Sequence, residues 1–169
     1  MSLTCFCLIA VAAIVFFDPS AGGDPSREAA FRVLVFSKTE GFRHGSIPEG
    51  IEAVKALGRE HGLEVKATEE AAEFTEEGLR DYAVVVFLNT TGTVFDEAQR
   101  EAFQAHIRSG GGYVGIHSAA DTEYDWPWYR EFDGGRTWYT GGGHTGESYG
   151  EPAFREHLLG GILWAAGEK

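Results

Sequence analysis

Three histidines of this chain stand next to the glycine-rich or polar exits of apolar segments. His117 closes the run Gly111-Gly112-Tyr113-Val114-Gly115-Ile116-His117-Ser118, which reads as a short buried strand entering a tight turn with an imidazole at its tip. His144 sits in Gly141-Gly142-Gly143-His144-Thr145-Gly146-Glu147, where three glycines let backbone approach a ligand closely. His44 lies in Thr39-Glu40-Gly41-Phe42-Arg43-His44-Gly45-Ser46, the loop after the first apolar segment. Neutral imidazoles ligate divalent cations, and a single one moves protons near neutral pH. Two chemistries are open to them: a metal site at His44, His117 and His144, or acid–base catalysis by His117 and His144. Glu147, three residues beyond His144, would orient that ring or join it as a ligand. Amides opening a helix after His117 would face the same space and hold an anion or oxyanion.

The neighbours suggest ligand contacts. Arg43 would pair with a carboxylate or bind a hydroxyl, and Asp121 and Glu123 would add carboxylates. Ser118 is one position past the turn's tip; it reads as a helix cap or ligand contact rather than a nucleophile, because no histidine–acid pair is reserved for it. Each strand-end histidine has an ordinary alternative as a surface or packing residue. His61, His106 and His157 fall on helix surfaces or ends and read as ordinary.

The positioning elements alternate. Phe31–Phe36 is a β-branched and aromatic strand, and Ser46 with Pro48 opens a helix that ends at His61-Gly62. Leu63–Ala67 is a second strand, and Thr75 caps a brief helix. The nearly continuous apolar run Tyr82–Leu88 suits a parallel strand covered on both faces. Asp96 caps a helix with Ala98, Phe103 and Ile107 at helical spacing. Tyr113–Ile116 and Arg136–Thr140 are further strands, and a closing helix begins near Glu151. This is an α/β pattern: an open, mostly parallel sheet flanked by helices, three layers in all. Such sheets bind ligands beyond the carboxyl ends of their strands, where the three histidines fall. Between Ala119 and Arg136 there is little room for a crossover helix, and the segment is dense in aromatics (Tyr124, Trp126, Trp128, Tyr129, Phe132). The sheet therefore looks clipped there.

A formal charge of −12 argues against nucleic acid and leaves a small neutral or cationic ligand or a metal ion as the better partner. Residues 5–17, CFCLIAVAAIVFF, are uncharged and of signal-sequence length, with small residues near Gly22. The expectation is a signal peptide over residues 1–22 and export to the periplasm or cell exterior, or membrane anchoring if the segment is retained. Both cysteines, Cys5 and Cys7, lie within it, which removes disulfides and cysteine nucleophiles from the domain at 31–167.

These stretches, with Trp126-Pro127-Trp128-Tyr129, Gly134-Gly135-Arg136 to Tyr139 and Gly143-His144-Thr145-x-Glu147-Ser148-Tyr149, resemble the ThuA-like (trehalose-utilisation) family of the class I glutamine amidotransferase-like superfamily. The resemblance implies a flavodoxin-like fold and a sugar-related role. In the amidotransferase relatives the turn carries a catalytic cysteine; His117 replaces it here, so glutamine hydrolysis by that route is not expected. His144 and Glu147 match the histidine and glutamate of the relatives' triad. The resemblance also implies a link to trehalose and keto-sugar metabolism and association with sugar-dehydrogenase or carbohydrate-binding modules. Taken with the three strand-end histidines, the leading expectation is a divalent metal or a histidine acting on a sugar or keto-sugar, with a small carbohydrate ligand and, as a further partner, a second copy of the chain. Family domains carry a long segment between Trp-Pro-Trp-Tyr and Gly-Gly-Arg, so this chain looks shortened between residues 129 and 134. Two alternatives stand beside the enzyme: a non-catalytic carbohydrate-binding or docking module, with Trp128 and its neighbouring aromatics stacking on sugar rings, and an inactive truncated domain.

Overall fold

The computed structural model describes residues 29–168; the expected signal segment, residues 1–22, lies outside them. Among the described residues no helix is long and apolar enough to cross a membrane. Five strands, β1 (Arg32–Phe36), β2 (Glu64–Thr68), β3 (Val84–Leu88), β4 (Gly112–Ile116) and β5 (Arg136–Thr140), form one sheet in the order β2-β1-β3-β4-β5. Every neighbouring pair is parallel. This is the flavodoxin-like strand order. The helices are α1 (Ile47–His61), α2 (Glu76–Leu79), α3 (Glu97–Arg108) and α4 (Pro152–Ala166).

The two-residue period of the strands divides the core in two. Val33, Val35, Val84, Val86, Val114 and Ile116 point to one face, where α1 brings Val54 and Leu57 and α4 brings Leu158 and Ile162. Leu34, Phe36, Val85, Phe87 and Tyr113 point to the other and meet Phe103 and Ile107 of α3. The first core is aliphatic. The second is built largely of rings, with Phe36, Phe74, Phe87, Phe95 and Phe103 in mutual contact.

Helix ends obey their local chemistry in most places. Asp96 accepts from the Gln99 amide in a reciprocal capping box, Thr75 accepts from Gly78, and Gly62 closes α1 at φ 71°. Ser46 departs from expectation: it makes no capping bond, and its hydroxyl donates instead to the Gly143 carbonyl at 3.1 Å.

The β4–β5 crossover contains no α-helix. It is built from two 3₁₀ turns, Ala119–Asp121 and Pro127–Arg130, yet β5 pairs with β4 over all five of its residues. The sheet is thus continuous where the sequence suggested a clipped one. Two devices fix the crossover. The Tyr129 hydroxyl lies 2.7 Å from that of Tyr113 and donates to the Ala119 carbonyl. Fully buried Glu123 accepts from the amides of Val94 and Phe95 and from Arg100 of α3. Glu123 is therefore a structural anchor and no ligand contact. Breaking such a buried pair costs roughly 3–5 kcal/mol.

Candidate metal centre at the strand ends

The loops after β1, β4 and β5 bring the three histidines together at the carboxyl edge of the sheet. The first is pinned by its neighbour. Thr91, just past β3, pairs with Thr39, accepts from the Glu40 amide through its carbonyl, and donates its hydroxyl to the Phe42 carbonyl at 2.9 Å. His44 is thereby held in a buried position. His117 is tied to β5 by its amide, which donates to the Thr140 carbonyl at 2.9 Å. The His144 loop turns at Gly143, φ 98°, where a Cβ would lie 2.5 Å from the Tyr149 hydroxyl. The Gly143 carbonyl accepts from both Ser46 Oγ and Asn89 Nδ2, and Asn89 in turn accepts from Tyr149.

The resulting ring geometry is close. His117 Nε2 lies 3.2 Å from His44 Nε2 and 2.9 Å from His144 Nδ1. The three rings meet edge to face, with centroids 4.8 to 5.2 Å apart. One nitrogen from each falls within 4.8 Å of the others. His117 Nδ1 faces the Gly141 carbonyl at 3.2 Å. A carbonyl only accepts, so Nδ1 carries the proton and Nε2 of the neutral ring keeps a single lone pair. Two further ring nitrogens crowd that lone pair, more than it can satisfy as an acceptor. A cation shared by all three resolves the crowding. His117 then donates through Nδ1 to Gly141 and His44 through Nδ1 to Ser118 Oγ, 3.4 Å away, leaving one lone pair per ring for the metal. Tetrahedral zinc holds imidazole nitrogens about 3.3 Å apart; the two separations at His117 are within a few tenths of an ångström of that, and the third, bounded at 4.8 Å, would close as the rings turn onto a shared ion. The donor set fits a divalent cation. His44 is also kept neutral: burial lowers its pKa most, the His117 and His144 charges add to that, and Asp121 opposes it.

The strand-end turn differs from expectation in one respect. The left-handed backbone falls on Ser118, φ 50°, not on His117, and the chain continues into a single 3₁₀ turn rather than a helix. The Ser118 side chain makes no capping bond, and the turn that follows it offers no α-helix N-terminus.

The other expected site residues divide. Asp121 and Ser118 line the open cleft of about 520 Å³ that the three histidines border. Glu147 is exposed on a 3₁₀ turn, Gly146–Gly150, and its carboxylate is held below its ordinary pKa by its own amide and by Thr145; it bonds none of the three rings. Arg43 is committed to Glu69 at 2.6 and 3.1 Å, which raises its pKa. Trp128 does not border the cleft: its ring packs on Trp126, Phe132 and Phe103, and its Nε1 donates to Asp133 at 2.6 Å. The aromatic rings that do border it are Phe42, Tyr124 and Tyr139. Sequence reasoning passed over Asn89 and Tyr139. Their only signal was position, one residue past β3 and near the end of β5.

Residues 32–134 and 127–165 match the family described as ThuA, trehalose utilisation. The chain belongs to the ThuA family. Among solved structures the ThuA domain is similar to a ThuA-like protein from Bacteroides uniformis ATCC 8492, with 27% identity and a TM-score of 0.53 over 70% of this chain and 50% of that one. A second ThuA-like protein, from Parabacteroides merdae ATCC 43184, is 18% identical with a TM-score of 0.46 over 59% and 36% of the two chains. The chain thus spans about half the length of the first and about a third of the second. No curated protein matches it. The family is carbohydrate-related, and this member carries a histidine cluster able to coordinate a metal.

Proposed function

We propose that the ThuA domain is a metal-assisted enzyme acting on a sugar or keto-sugar. The observation that carries the reading is the convergence of three imidazole nitrogens, each ring of His44 and His117 having a second partner that fixes its other nitrogen. His44 Nε2, His117 Nε2 and His144 Nδ1 would hold the ion. A divalent cation there supplies Lewis-acid polarisation of a hydroxyl or ketone oxygen. The protein's own groups do the rest. Ser118, accepting from His44, keeps its O–H for a ligand oxygen. Asp121, on the wall of the same cleft, accepts from a sugar hydroxyl. Phe42, edge-on to His44, forms one wall of the cleft. Arg43 and Glu147 would reach the cleft only on leaving their present partners, Glu69 for Arg43 and Thr145 for Glu147.

We also read the helix-free crossover as a shortened form of a longer family segment, within the class I glutamine amidotransferase-like superfamily. Two facts support this. The family matches meet and overlap at residues 127–134, and the chain spans about half of its solved relative. The strand order and the strand-end turn at Ser118 support the superfamily.

The test is metal content. The purified chain, equilibrated with zinc, manganese or ferrous ion and then desalted, is expected to retain about one ion per chain, and His117→Ala to lower affinity at least 100-fold. Absence of bound metal, with glucose binding unchanged in His117→Ala, would contradict the reading and favour a non-catalytic module.

A further inference from the structure

The two edges of the sheet are finished differently. β2 is guarded as exposed edges usually are, by charge: it carries Glu64, paired with Arg32 at 3.0 Å, and Lys66, paired with Glu73. β5 reads Arg-Thr-Trp-Tyr-Thr, with no acid, lysine or proline, in a chain of net charge −12. Its register with β4 fixes what it presents. Ile116 pairs with Thr140, and the His117 amide donates to the Thr140 carbonyl. Alternate residues of such a ladder turn both peptide groups to the same neighbour, so Arg136, Trp138 and Thr140 face β4. Thr137 and Tyr139 point their N–H and C=O groups outward, and no other group among the described residues bonds to them. We propose that this edge is a dimer interface: a second copy of the chain pairs its own β5 antiparallel to this one, about a two-fold axis at Trp138. The proposal does not depend on which ligand the histidine cleft takes.

A copy of the chain is the occupant because the edge is complementary to itself. Thr137 and Tyr139 flank Trp138 symmetrically. Antiparallel pairing about Trp138 sets each Thr137 opposite Tyr139 of the other copy, and each of these pairs exchanges both its N–H···O=C bonds. The two Trp138 residues then face each other as the non-hydrogen-bonded pair, in which side chains come closest. The faces also match. Thr137 and Tyr139 lie on the crossover side of the sheet, and Trp138 lies over Gly161 of α4 on the other. Threonine thus meets tyrosine on one face and tryptophan meets tryptophan on the other, both stabilising cross-strand pairs. Arg136, the one charged residue of β5, falls opposite Thr140, so no like charges oppose. The α4 flank of the edge is apolar as well. Trp164 is 45% exposed beneath the Arg136 guanidinium, and a Cβ at Gly160 would meet nothing. With β2 guarded, association closes at a symmetric dimer instead of running on from edge to edge. Tyr139 also lines the histidine cleft, so Thr137 of the second copy stands beside that wall.

The test is sedimentation of the full chain across a concentration series, joined to amide hydrogen exchange. The chain is expected to be mostly dimeric at about 100 μM, with the Thr137 and Tyr139 amides protected. Thr137→Pro removes an outward N–H and no bond to β4, and Thr137→Lys adds the kind of charge that guards β2. Each should weaken self-association at least tenfold. Thr137→Lys should keep the far-UV circular dichroism and urea midpoint of the parent, which separates loss of pairing from loss of fold even where the proline variant folds poorly. In that variant the Tyr139 amide should exchange freely. A chain that stays monomeric throughout the series overturns the proposal; if the two amides are nevertheless protected, the edge is covered from within the chain. A dimer in which those amides exchange freely, or one that survives Thr137→Lys unchanged, uses another face and overturns it equally. Assemblies that grow beyond the dimer contradict the closed two-fold pairing.

Discussion

His44 and His106 are both largely withdrawn from water, and in both cases burial lowers the imidazole pKa. Their surroundings are otherwise opposite. At the carboxyl edge of the sheet, His44 meets His117 through one nitrogen and Ser118 through the other. His106, on α3, lies against Gly111, where a Cβ would come within 2.2 Å of its Nε2, and that nitrogen has no hydrogen-bond partner. Desolvation alone therefore does not mark a functional histidine. Convergence of lone pairs does, and it requires three separate loops to be fixed in register.

The backbone carries the same contrast. All three non-glycine residues with positive φ among the described residues, Asn89, Ser118 and Glu123, cluster at or beyond the ends of β3 and β4. Such conformations cost free energy and persist where surrounding contacts over-determine them. Asn89 shows how: its side chain links Tyr149 to the carbonyl preceding His144. The first way to break the comparison is Asn89→Ala. It should loosen the His144 loop and weaken metal affinity roughly 10- to 100-fold, as removal of groups that orient ligands does, read by competition with a chelating dye. Asn89→Gly, which relieves the backbone but loses the same bonds, should weaken it similarly.

A smaller effect is expected at the other end. His106 has a folded-state pKa below the ordinary 6.5 of the unfolded chain. The unfolded state then takes up the proton first as pH falls, so the stability associated with neutral His106 is present above about pH 6.5 and declines below it, by at most about 1.4 kcal/mol per pH unit for one proton. His106→Leu should flatten that acid-side decline in urea melts and leave metal affinity unchanged. A loss of metal affinity in His106→Leu would erase the distinction between the two ends.

Much of the frame was legible from the chain. The run ending at Leu88 announced a strand buried on both faces, and all five residues of β3 are fully buried. Asp96 and Thr75 capped as local chemistry dictates because their partners are three residues away. Ser46 failed the same reasoning because its partner, the Gly143 carbonyl, is 97 residues distant. The three histidines could be placed at strand ends from the alternation of elements, but not their contact distances, which depend on Thr91, Asn89 and Gly143. The aromatic segment was the least legible part. Trp128 packs against the crossover's own rings, while the exposed rings that border the cleft belong to Tyr124, Tyr139 and Phe42. Period and composition count aromatics; they do not say which face water reaches.

The most direct measurement is X-ray absorption on the zinc-loaded chain. Three imidazole nitrogens are predicted in the first coordination shell at about 2.0–2.1 Å, falling to two in His144→Ala. A shell of oxygen ligands alone, or one unchanged by loss of His144, would contradict a metal centre at His44, His117 and His144.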